Sequence, residues 1–89
     1  MQRIVELALS FHSLQGAPGI APWKPEDLDH WASTVASSGE RYAAQFVLMV
    51  YNHYEAWSCG PFDLSRAISV WDDSNRRAFA HWVLDPWWA

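Results

Sequence analysis

At 89 residues, with seven tryptophans, four phenylalanines and three tyrosines, the chain has room for one domain and enough large rings to build a core without staples. Its formal net charge of −4 weighs against nonspecific nucleic-acid binding, which rests on a basic surface. A lone cysteine, Cys59, excludes an internal disulfide and suits a reducing compartment, so the chain is read as a single cytoplasmic domain over 1–89.

Residues 2–14 carry two periods at once. Ile4, Leu7, Ala8, Phe11 and Leu14 follow helical spacing, whereas Val5, Leu7, Leu9 and Phe11 alternate as a strand would. Leu, Ala, Glu and Gln favour the helix, and no other segment offers a strand to pair with. Helix is therefore expected; as a strand, this segment would find its partner in a second copy. Glu6 interrupts the apolar run and no small-residue cleavage site follows promptly, so the segment is read as mature structure. No apolar run approaches the roughly 20 residues needed to span a bilayer.

Gly16 stops this helix, and 16–25 (GAPGIAPWKP) is a loop with Trp23 as the ring that folds it onto the core. Pro25 suits the first position of a second helix, with Glu26 and Asp27 in its first turn. Leu28, Trp31, Ala32, Val35 and Ala36 give that helix one buried stripe. Ser37 and Glu40 have the spacing of a capping box, and the short connection predicts an antiparallel hairpin with the next helix.

That next helix, expected over about 40–57 (ERYAAQFVLMVYNHYEAW), is the centre of the predicted architecture. Tyr42, Ala43, Phe46, Val47, Met49, Val50, His53, Tyr54 and Trp57 share a broad face, and Arg41, Gln45, Asn52 and Glu55 form a narrow polar stripe opposite. Ser58, Cys59, Gly60 and Pro61 end it. Asp63 caps a short fourth helix in which Leu64, Ala67, Ile68 and Trp71 share a face. Asp72 or Asp73 caps a fifth, running to about Leu84, with Phe79, Trp82 and Val83 inward and Arg77, His81 and Asp85 outward. Pro86 ends it. The expected fold is an all-α, compact bundle of four to five short helices around the central buried one.

The most unusual stretch is Asp85-Pro86-Trp87-Trp88-Ala89. Two adjacent indoles either fold back and close the core or insert into a partner as anchors. Trp87, Trp88 and Trp23 are the expected partner contacts, the partner being another protein or a second copy. A second candidate is a small-ligand or catalytic pocket lined by His53, Tyr54, Trp57 and Cys59 at the end of the central helix. Cys59 follows a helix C-terminus, where the negative dipole end disfavours a thiolate, so a nucleophilic role is not expected of it.

His81 and Asp85 lie one turn apart, but two ligands do not make a metal site, and no paired-Cys or HExxH spacing is present. No metal or cofactor is expected. Helices four and five have the outline of a helix-turn-helix with Arg76 and Arg77 early in the second helix, yet Asp72 and Asp73 precede them and would face the same phosphates. Mimicry of DNA by acids is a weaker idea still, because ten acids stand against six bases without concentration on one face. The function expected from sequence is a small, non-enzymatic protein-interaction or regulatory role.

Overall fold

The computed structural model describes residues 2–89 and is all-helical: among the described residues there are five α-helices and no strand. α1 (Gln2–Leu9) leads through a 3-10 turn (His12–Leu14) and a loop to α2 (Pro25–Thr34), α3 (Ser38–Tyr51), α4 (Leu64–Val70) and α5 (Asp73–Leu84). The body measures 26 × 25 × 25 Å. No helix of the described residues is long and apolar enough to cross a membrane.

The predicted helix starts are built by the side chains expected to build them. Pro25 occupies the first turn of α2, and Ser37 and Glu40 form a reciprocal capping box on α3. Asp63 accepts the Arg66 amide at the start of α4, and Asp72 accepts the Asn75 amide at the start of α5. Each such cap satisfies an orphan N–H of a first turn, worth about 1 kcal/mol.

Helix ends and faces differ from the sequence reading in several places. α1 stops at Leu9 because Ser10 Oγ donates to the Leu7 carbonyl at 2.6 Å and Phe11 takes an extended backbone. Ile4, Leu7, Ala8, Phe11 and Leu14 are nonetheless all buried, as helical spacing requires, while Leu9 is exposed. α2 ends at Thr34, one residue before Val35, which then faces solvent. Leu64, Ile68 and Val83, expected inward, are exposed; only Ala67 and Trp71 of the α4 set are buried, with Trp82 buried and Phe79 half-buried in α5. α4 is only seven residues long, and two turns bury a narrower stripe than the residue types suggest.

The core centres on Phe46 of α3. Its ring meets Phe11 (5.6 Å between centroids), Phe62 (5.3 Å), Phe79 (5.2 Å) and Trp82 (5.1 Å). Trp71 packs on Phe11 and Phe62 and donates its indole N–H to the Gly39 carbonyl at 3.1 Å. Tilted and edge-on pairs of this kind add about 0.5–1.5 kcal/mol each beyond their buried area. α2 lies antiparallel on α3: Arg41 Nε donates to the Ala32 carbonyl beside the turn, and Pro25 and Asp29 share a groove with Tyr51 and Asn52 at the other end. α5 is tied to the 3-10 turn by buried Asn75, whose Nδ2 donates to Ser13 Oγ at 2.7 Å.

Candidate functional site

The central helix ends at Tyr51, six residues short of the 40–57 expectation, and the reason is Asn52. Its backbone leaves the helix and its Oδ1 accepts the Tyr54 amide at 3.1 Å. Asparagine competes in this way with the helical ladder. His53, Tyr54 and Trp57 therefore stand on a loop, not on a helix face.

That loop is fixed at three points. Trp57 donates its indole N–H to the Asn52 carbonyl at 3.1 Å. Asp29 of α2 accepts the amides of Ser58 and Cys59, both at 2.9 Å. Gln45 of α3 donates from Nε2 to the Cys59 carbonyl, so the residue assigned to the solvent stripe is in fact buried, as is Leu48. Gly60 then turns the chain at φ +92°, a region that L side chains rarely adopt, and Phe62 returns it to the core.

Electrostatics follow from those bonds. Partial burial would raise the Asp29 carboxyl, but the Cys59 and Ser58 amides outweigh it and hold the group below its ordinary value. Burial pushes the Cys59 thiol up to about 12, with the neighbouring Asp29 carboxylate acting in the same direction. Cys59 is consequently a protonated, buried structural thiol at neutral pH.

The 85–89 segment folds back on the end of α3. Trp82 donates its indole N–H to the Trp87 carbonyl at 3.0 Å, and the Ala89 amide donates to the Val50 carbonyl at 3.1 Å. The two indoles divide: Trp87 is half-buried beneath the Arg3 guanidinium, 4.4 Å from its ring centre, whereas Trp88 is 52% exposed. Trp88 stands edge-on to Trp82 (5.3 Å) and beside His53 (5.1 Å), which in turn lies 4.2 Å from Tyr54. Tyr54 is 89% exposed. An aromatic patch of Trp88, His53 and Tyr54 thus sits on a pinned backbone.

Trp23, the third expected contact, packs edge-on against Tyr51 at 5.2 Å and is half-buried. It is separate from the Trp88 patch in every described ring contact.

A groove of about 490 Å³ opens beside the patch, walled by Met49, His53, Trp57, Pro61 and Phe62 with Gln45 among its lining. Of the four predicted pocket residues it gathers His53 and Trp57; Tyr54 is exposed to solvent, and Cys59, within the loop, is buried and outside the lining. Gln45, Met49 and Phe62 escaped sequence reasoning. The i, i+4 spacing of Gln45 and Met49 on α3, which His53 continues beyond the helix end, was the available signal for the first two, masked because Gln45 reads as part of the polar stripe. Two other depressions lie between α2 and the loop at Asp29, lined mostly by polar groups, and between α1 and α5 at Arg3 and His81, where Leu7, Trp82, Leu84 and Trp87 join charged side chains. Among the described residues no three His, Cys, Asp or Glu side chains converge on a metal position. Arg76 donates to the Ile68 carbonyl and Arg77 pairs with Asp73 at 2.6 Å.

No known protein family, curated protein or solved structure matches this chain.

Proposed function

We propose that this chain is a non-enzymatic protein-interaction or regulatory protein of the cytoplasm that meets a protein partner through Trp88, His53 and Tyr54. One observation carries the reading: three rings stand open to solvent on a backbone that is already fixed. Tyr and Trp dominate binding energy at interfaces, and a surface ordered before contact loses less entropy on binding. Trp87, under Arg3, acts as the support that places Trp88.

The test is affinity capture from the source cells followed by mass determination of the recovered complex, using wild type, the Trp88→Ala/Tyr54→Ala double variant, and Val35→Ala at a remote exposed site. A stoichiometric partner, or a second copy, is expected with wild type and Val35→Ala and absent with the double variant, whose circular dichroism stays native. Retention of the same partner by the folded double variant would remove the proposal.

A further inference from the structure

We infer that the groove between α3 and the 52–62 loop binds a small planar ring bearing an N–H or O–H donor, of which indole is the simplest form. The inference rests on observations independent of the Trp88 patch. Gln45 lies in the lining of the groove and is only 8% exposed. Its Nε2 is committed to the Cys59 carbonyl, which fixes the orientation of the amide, since the reverse orientation would set two oxygens against each other. That leaves Oε1, which has no hydrogen-bond partner. A buried acceptor without a donor carries an uncompensated desolvation penalty, and a ligand that supplies the donor recovers it.

The remaining chemistry narrows the ligand. Trp57, Phe62 and Pro61 offer flat apolar walls, which favour a ring. Glu55 at the groove disfavours an anion. The volume, about 490 Å³, falls in the range of small-molecule sites. Oε1 is sealed from water, so binding requires a side chain to give way, and half-buried Met49, one helical turn along and also in the lining, is the flexible one that must move aside for the donor.

The test is a two-dimensional amide NMR titration with indole, 3-methylindole and 1-methylindole, the last of which lacks the donor. Indole and 3-methylindole are expected to give saturable shifts at Gln45, Met49, Gly60 and Phe62 with a Kd of roughly millimolar order, as befits a fragment. 1-Methylindole should bind about tenfold more weakly, the loss expected for one buried hydrogen bond. Gln45→Met should erase that preference. Ala56→Trp, at an exposed position on the rim, should block all three probes without disturbing the core, and serves if Gln45→Met fails to fold. Equal binding of indole and 1-methylindole to wild type, a preference that survives Gln45→Met, binding unaffected by Ala56→Trp, or no saturable shift at these residues would each overturn the inference. Trp88 rests on His53 but is not itself in the groove lining, so Trp88→Ala is expected to keep the indole preference, and failure here is separable from failure of the partner proposal.

Discussion

Two regions of this molecule use the same residue types to opposite ends. Around Phe46 the rings of Phe11, Trp71 and Trp82 are buried, and the two indole N–H groups there reach carbonyls. At the end of α3 the rings of His53, Tyr54 and Trp88 are open to solvent, and the neighbouring groove keeps an acceptor without a donor. Aromatic richness alone therefore says nothing about role. What separates a packing ring from a presented one is whether its faces are covered.

That contrast can be broken by substitution. Phe46→Ala removes the hub of the core and should cost about 3–5 kcal/mol of unfolding free energy in urea, enough to unfold a domain this small. A loss below about 1 kcal/mol would mean that the packing around Phe46 is not the core. Cys59 gives the next largest contrast. With its thiol pushed up to about 12 by burial and Asp29, alkylation by iodoacetamide at pH 8 should be slower by roughly a hundredfold or more in the native protein than in urea. Equal rates would show that the packing of the 52–62 loop does not shield its own thiol.

Asp29→Ala should cost about 1–2 kcal/mol, because two backbone amides lose a charged acceptor. Its pH dependence sharpens the point. The folded carboxyl lies below its ordinary value, so its contribution is complete above the ordinary carboxylate range and is lost as pH falls from that range through the lower folded value. Thermal midpoints of wild type should fall below about pH 4, and Asp29→Asn should show a shallower acid limb. An unchanged limb would assign the acid sensitivity to other carboxyls. Trp88→Ala is expected to matter least for stability, by less than about 1 kcal/mol, since its ring contacts are half open to water.

What was legible in the sequence was local. The Ser37 and Glu40 box, Asp63 and Asp72 act on amides three residues away or less, Pro25 acts through its own fixed φ, and all four start helices as their positions dictate. The buried set of α1 followed from spacing as well. What was illegible was tertiary. His53 and Trp57 prolong the helical period past Asn52, whose side chain nonetheless ends the helix. Gln45 reads as a solvent residue until the Cys59 carbonyl, 14 residues on, is folded against it. Asp29 likewise finds its partners about 30 residues away. The division of Trp87 from Trp88 depends on Arg3 and Val50, neither near them in sequence.

The separation of sealed rings from presented ones is tested most directly by fluorine NMR of protein labelled with 5-fluorotryptophan, with each resonance assigned through a single Trp→Phe variant. A soluble nitroxide added at a concentration where the chain is monomeric should broaden Trp88 most, with Trp71 and Trp82 nearly untouched. Protection of Trp88 equal to that of Trp71 would contradict the account, because no presented indole would then exist for a partner to meet.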